Sequence, residues 1–215
     1  MNTPKGLPPK GAATALEIYN AVGFALTMWE SSEDMLMGLF RTLCAEREPT
    51  AFSAYVMSPR NRRTEMMKLA LERYKDRFQG DEAEQVRTIM KALDKLAAIR
   101  NEIAHGHCSD YEASDPGGVT MSGNYLMPSW NEGHWHERSM RYAHNDDTIR
   151  AFTASVRQQR ALVIDIQAAV AVRAQEAHKK LDDETKLILS LVQSISEGKI
   201  PPHFASKVLK RVQPT

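Results

Sequence analysis

The chain has 215 residues, 42% of them hydrophobic and 26% charged, the balance of one large folded domain with short appendages. A formal net charge of +1 excludes a molecule coated in positive potential, so any contact with nucleic acid has to rest on a local patch. The two cysteines, Cys44 and Cys108, lie far apart, which excludes a disulfide framework and a paired zinc spacing and fits a reducing, cytoplasmic setting.

The opening MNTPKGLPPKGAA has lysine, proline and glycine but no apolar core for export, and residues 1–12 read as a flexible lead. A long helix is expected over 13–44, where Leu16, Tyr19, Val22, Leu26, Trp29, Leu36, Phe40 and Leu43 recur at three- and four-residue steps. Glu33 falls on that stripe. Residues 48–63 contain Pro49 and Pro59 and read as an irregular connection with a helical turn at 52–56. A second helix follows over 63–78, ended by Gly80. Asp81 is the expected N-cap of a third, which runs to His105 with Val86, Ile89, Leu93, Leu96, Arg100 and Ile103 on one stripe and Gly106 as a C′ residue. The pattern then changes. Asp115-Pro116-Gly117-Gly118 signals a turn, and short strands are expected at 119–121, 125–127 and 139–142. A fourth helix is expected from Asp146 to Leu181, and a fifth over DDETKLILSLVQSISEGK, before a short basic tail. No apolar run reaches the roughly 18 residues that a membrane span needs, so no membrane contact is expected. The expected fold is mainly all-α. It is an antiparallel bundle of four to five helices over 13–198, with a small β-ribbon inserted at 107–145 and a tail at 199–215.

Within the third helix, the stretch AIRNEIAHGHC sets a cation on an apolar stripe. Arg100 stands where Leu or Ile would be expected, and a buried guanidinium without compensation costs several kcal/mol. It therefore needs a carboxylate partner, a cleft, or both. Asn101 and His105 are four apart and share a face. Arg100 and His105 are five apart, about 140° around the axis, but a long arginine can swing toward a common groove. His105 lies in the last turn, where the helix dipole favours the imidazolium. An imidazole that titrates near neutrality can take and return a proton, and a guanidinium beside it can hold a phosphate. Together they can support attack of an RNA 2′-hydroxyl on its own phosphodiester without a metal or cofactor, giving a 2′,3′-cyclic phosphate and a 5′-hydroxyl.

The segment Arg100-Asn101-Glu102-Ile103-Ala104-His105, with glycine next, resembles the Arg, four residues, His motif of the HEPN (higher eukaryotes and prokaryotes nucleotide-binding) superfamily. The resemblance implies a helical bundle that dimerises with its two motif helices facing across a cleft. It also implies a metal-independent RNase of the toxin–antitoxin or defence type, with Arg100 and His105 catalytic, Asn101 supporting, and an antitoxin or regulatory protein as partner. Other members of the family serve as non-catalytic scaffolds, nucleotide-binding modules or sensors. In members silenced by a nucleotidyltransferase partner a tyrosine stands two residues after the histidine; here the position is His107, so control by tyrosine modification is not expected of this chain.

Three further groups stand out. Glu33 is either an arginine-paired or exposed carboxylate, or the partner that orients Arg100. Arg60, Arg62 and Arg63 form a basic cluster that is either a solvated helix start or a phosphate contact. His105, His107, Cys108, His134 and His136 do not follow an established metal spacing, and no metal site is expected.

Overall fold

The structure is a computed structural model that describes residues 10–44, 48–114, 120–128 and 142–197. Among these residues it is mainly α-helical, with five helices and one small antiparallel sheet. The order is α1 (Ala15–Cys44), α2 (Pro49–Met57), α3 (Arg60–Arg73), a 3-10 turn (Lys75–Arg77), α4 (Glu82–His105), β1 (His107–Ser114), β2 (Thr120–Met127) and α5 (Asp146–Ser196). Two compact units divide the chain after Gln167. The first holds α1 to α4, the ribbon and the start of α5; the second holds the rest of α5.

Helix α1 begins with a reciprocal cap that the sequence reading passed over. The Glu17 N–H donates to Thr14 Oγ1 at 3.3 Å and the Thr14 N–H to Glu17 Oε2 at 3.1 Å, the T-x-x-E capping box. Its inward stripe is Ile18, Ala21, Ala25, Trp29, Ser32, Leu36, Leu39, Phe40 and Leu43. Leu16 and Tyr19, expected on that stripe, are exposed at 65% and 58%, so the first two turns face inward on Ile18 and Ala21 instead. The core of the unit sets Ile18, Leu39 and Leu43 against Met67 and Leu71 of α3, Val86, Ile89, Leu93 and Ile103 of α4, and Ile149 and Val156 of α5, all fully buried. Each such side chain contributes about 1.5–3 kcal/mol relative to exposure. Trp29 stacks on Phe152 with centroids 6.2 Å apart, and Arg160 Nε donates to Ser31 Oγ at 2.8 Å, which fixes the start of α5 along α1.

The two prolines bound helices rather than breaking a connection. Pro49 occupies the first turn of α2, where its missing N–H has no partner to lose, and Pro59 is the residue before α3. The expected irregular stretch is therefore one nine-residue helix and the first turn of the next. The fourth and fifth helices are also one. Asp182 and Asp183 do not start a new helix but pair along α5, Asp182 lying 4.0 Å from His178 Nε2 and Asp183 4.0 Å from Lys186 Nζ. In the second unit Leu181, Leu187, Leu189 and Val192 are exposed.

The ribbon is longer than expected, because β1 was not recognised. It pairs His107 with Met127, Ser109 with Tyr125 and Tyr111 with Gly123. Met121 and Tyr125 bury one face with Ala143, and Tyr111 and Met127 pack beside them. Of the expected flexible lead, Gly11 and Ala12 are held against β2, and residues 1–9 lie outside the described residues. The Gly11 N–H donates to Ser122 O at 2.8 Å, and Ala12 and Asn124 exchange backbone bonds at 2.9 Å. Gly11 and Gly123 are required by this approach: a Cβ on Gly11 would stand 2.7 Å from the Gly123 carbonyl carbon, and Gly123 has φ 115°. Further along the same edge of β2, His144 exchanges two backbone bonds with Leu126. The expected strand at 139–142 falls mostly outside the described residues, as does the turn at 115–118.

Asn145 ties these parts together. Its Oδ1 accepts the Thr148 N–H at 2.9 Å, capping α5, and its Nδ2 donates to Lys10 O at 2.9 Å. No described helix is long and apolar enough to cross a membrane.

Candidate functional site

Helix α4 presents the stretch from Asp94 to Asn101 to an open groove of about 650 Å³, walled by α1 and α3 on the other sides. Arg100 and Asn101 both line it, together with Asp94 and Ala97 from the preceding turns. At about 100° per residue, Asp94, Ala97 and Asn101 fall on one side of α4, with Arg100 at its margin. Trp29, Glu30 and Glu33 close the α1 side, and Arg60, Arg63, Thr64 and Lys68 the α3 side.

Arg100 is half-buried, its side chain 30% exposed. Its guanidinium reaches Glu30 Oε1 at 3.2 Å and Asn101 Oδ1 at 3.4 Å. Its Nε is buried and has no hydrogen-bond partner. A buried N–H left unmade costs about 1–3 kcal/mol, whereas a pair with an exposed carboxylate returns about 0–1 kcal/mol. Position 100 is thus poorly spent on stability, the usual mark of a residue kept for another reason. Glu30 is 64% exposed and holds the guanidinium from the solvent side, so an anion entering the groove can take its place.

Glu33 is an arginine-paired carboxylate, but Arg100 is not its partner. It is 12% exposed, with Arg60 Nε at 2.8 Å and Arg63 Nη1 at 3.6 Å. Arg60 also meets Asp94 at 2.9 Å and lies over the Trp29 ring at 5.1 Å. Arg60 and Arg63 of α3 take Glu33, while Arg100 of α4 reaches Glu30, one turn earlier on α1. The basic cluster is accordingly divided. Arg60 and Arg63 turn into the groove wall as counter-ions, and Arg62 is exposed on the opposite side of the first turn of α3.

His105 is exposed at the end of α4 and does not line this groove. It follows Asn101 by four residues, so it continues the same face one turn beyond the groove's end. The helix stops behind it for a spatial reason. Gly106 has φ −72° and ψ 157°, not the left-handed conformation expected of a C′ glycine. A Cβ there would stand 2.7 Å from Leu126 Cγ and 2.9 Å from Glu102 O. Glycine lets β2 lie directly against the helix tip.

That contact brings a second imidazole to the tip, which the sequence reading missed. His144 Nε2 lies 2.8 Å from Glu102 Oε2, the His144 ring stacks on Tyr142 with centroids 5.3 Å apart, and the Tyr142 hydroxyl donates to Glu102 O at 3.4 Å. Glu102 stood inside the quoted motif; nothing local marked His144, which arrives through the return of the chain after β2. Asp94, also missed, was within reach as the residue seven before Asn101 on the same face.

Among the described residues no group of three or more His, Cys, Asp or Glu is placed to hold a metal ion. His134 and His136 lie outside the described residues. No protein-family model, curated protein or solved structure matches the chain.

Proposed function

We propose that the chain is a HEPN-like, metal-independent endoribonuclease, a toxin or defence effector that works in the cytoplasm as a homodimer through its motif helices and is held in check by an antitoxin or regulatory protein. The observation that carries this reading is Arg100 at the edge of an open groove, held by the exposed Glu30 carboxylate and the Asn101 amide oxygen and with a buried N–H unmade, while His105 stands solvent-reachable one turn further along the same helix. A phosphodiester that displaces Glu30 meets the guanidinium in the geometry arginine uses for phosphate. His105 accepts the proton of the 2′-hydroxyl, the 2′-oxygen attacks phosphorus, and Arg100 and Asn101 hold the charge that gathers on the phosphoryl oxygens. The products are a 2′,3′-cyclic phosphate and a 5′-hydroxyl.

A second reading is a non-catalytic HEPN-like module that binds a nucleotide or senses a partner. It is favoured by the charge balance of the groove, in which Arg60, Arg63, Lys68 and Arg100 each already meet a carboxylate. Expression in a bacterial host separates the two. The enzyme slows growth, Arg100→Ala and His105→Ala each relieve it, and purified protein cleaves RNA in EDTA to leave cyclic phosphate ends. A wild-type protein that is harmless and inert on every RNA offered rejects the enzyme and leaves the binding module.

A further inference from the structure

The first half of α1 turns a face without charge to solvent. Leu16, Asn20, Gly23 and Thr27 follow one another at steps of four, three and four, which sets them in one row, and all four are exposed. Tyr19 and Phe24 flank the row on its two sides, and Leu16, Tyr19 and Phe24 are 65%, 58% and 66% exposed. Between Ala15 and Trp29 the one charged residue is Glu17, whose carboxylate is taken by the Thr14 cap. Large apolar side chains grouped in water on one helix mark a surface that another molecule covers. Gly23 has nothing within 4 Å of the place a Cβ would take, so no packing among the described residues requires glycine there. A glycine in mid-helix weakens the helix relative to alanine. Its use on this face is to let a partner come close to the α1 backbone.

Phe24 borders a groove of about 540 Å³ between α1 and the first turns of α5. Ala21 and Ala154 line it, with Arg150 and Arg157 on the α5 side. The cations continue to Arg160, whose Nε donates to Ser31 Oγ at 2.8 Å. Little balances them, because α5 has no Asp or Glu between Asp147 and Asp165. Arg150 is 62% exposed and reaches Asp146 at 3.5 Å. Arg157 is exposed and meets no carboxylate among the described residues, and the Ser31 hydroxyl satisfies a donor of Arg160 without neutralising its charge. The groove beside Arg100 shares none of these residues, and there Arg60, Arg63 and Arg100 each meet a carboxylate. At about 100° per residue, Asn20, Ala21 and Phe24 point the opposite way around α1 from Trp29, Glu30 and Glu33.

We propose that this face docks a second protein through an acidic, amphipathic helix, whose apolar stripe lies along Leu16, Gly23 and Phe24 and whose carboxylates meet Arg150, Arg157 and Arg160. The surface is distinct from the proposed ribonuclease site and does not depend on RNA cleavage. A groove between two helices receives a third along its length, reading apolar residues at three- and four-residue steps. Charge selects the occupant. Two copies of this chain joined through the same face would double an unbalanced positive charge within one contact. Residues 1–9 and 199–215 of the chain have no Asp or Glu to offer the arginines. RNA would meet the arginines with its phosphates and leave Leu16 and the approach at Gly23 unused.

Peptide selection on the full chain tests this. A displayed library of random peptides of about 20 residues, long enough to span the row from Leu16 to Thr27 as a helix, is enriched for binding to the wild type. The enriched sequences are expected to be net negative, with apolar residues at three- and four-residue spacing. Phe24→Ala is expected to weaken them at least about 30-fold, as truncation of an anchoring aromatic does. Arg157→Ala should weaken them about three-fold and make their salt dependence shallower. Gly23→Gln is the decisive variant should Phe24→Ala fail to fold. It fills the approach while replacing glycine with a better helix former, so it should melt no lower than wild type and still lose the peptides. A library that yields no binder overturns the proposal, as do neutral or basic sequences, or peptides that bind Phe24→Ala and Gly23→Gln as tightly as wild type. A short oligoribonucleotide that binds wild type but not Gly23→Gln also overturns it and gives the face to RNA. Sedimentation showing a dimer that Gly23→Gln dissociates overturns it in favour of a second copy. RNA cleavage, measured separately, decides the ribonuclease reading without touching this one.

Discussion

At the scale of single residues, the arginines of the groove differ in what they hold. Glu33 is nearly buried and is neutralised by Arg60 and Arg63, so removing either side leaves a charge with less water and fewer partners than it had. Arg100 answers to a different and exposed carboxylate. Double-mutant cycles read this directly. Glu33→Ala and Arg60→Ala are expected to be non-additive in unfolding free energy by about 1 kcal/mol, while Glu33→Ala and Arg100→Ala add within about 0.3–0.5 kcal/mol. Coupling of Glu33 to Arg100 as large as to Arg60 would show that the two ion pairs form one network. Cys44 supplies a pH dependence of the same local kind. Burial, reinforced by Glu48 and opposed by Arg77, pushes its thiol up to about 11, and burial also raises the Tyr55 hydroxyl. A folded value above the unfolded one, about 8.5 for cysteine, means that the stabilising contribution is whole below that pH and is lost as pH rises toward 11. The urea midpoint should hold level from pH 7 to about 8.5 and fall above it. Cys44→Ala should make that fall shallower; an unchanged slope would mean that the thiol has no part in it.

Elements were read from sequence with uneven success, and the reasons are physical. α1 and α4 were recognised to within two residues because each buries one continuous stripe, and a 3.6-residue period survives whatever the stripe packs against. α2 is hidden in the sequence because proline inside a helix breaks it, whereas at the first turn it initiates one. β1 was missed because HCSDYEAS has one strong strand former, Tyr111, and its Asp110 and Glu112 sit on the face away from the small core. The groove itself was half legible. Arg100, Asn101 and His105 could be named from local spacing, but Glu30 as the partner of Arg100, and His144 beside Glu102, depend on how distant segments meet, and one stripe gives no account of its neighbours. Gly106 shows the same limit. A glycine after a helix suggests a left-handed cap, whereas here its use is the near approach of Leu126. Gly106→Ala is therefore expected to destabilise by about 1–3 kcal/mol through overpacking, not through backbone strain. Thermal melts should show a smaller penalty in a Leu126→Ala background, although contact with Glu102 O keeps it above zero. A neutral Gly106→Ala would mean that β2 does not close on the helix tip.

For the whole molecule the deciding quantity is charge. A net charge of +1 gives little long-range attraction for RNA, and the groove adds few free cations, because those at its wall are already matched by carboxylates. On the proposed reading, affinity then comes from a small number of contacts around Arg100, where an entering phosphate would exchange with Glu30. Each phosphate neutralised on a single strand contributes about −0.7 to the slope of log K against log salt. Two to four contacts, those Arg100 and its immediate neighbours can make, predict a slope of about −1.4 to −2.8. Filter binding of a short oligoribonucleotide to His105→Ala, which should not cleave it, over a range of salt concentrations gives the number. Arg100→Ala should make the slope shallower by about 0.7, one phosphate's worth, whereas Arg62→Ala, on the far side of α3 from the groove, should leave it unchanged. A slope steeper than about −5 would require some seven phosphates, more than this groove can reach, and would place the RNA on a different and larger surface. A slope near zero would remove the phosphate from the recognition altogether and with it the role given to Arg100.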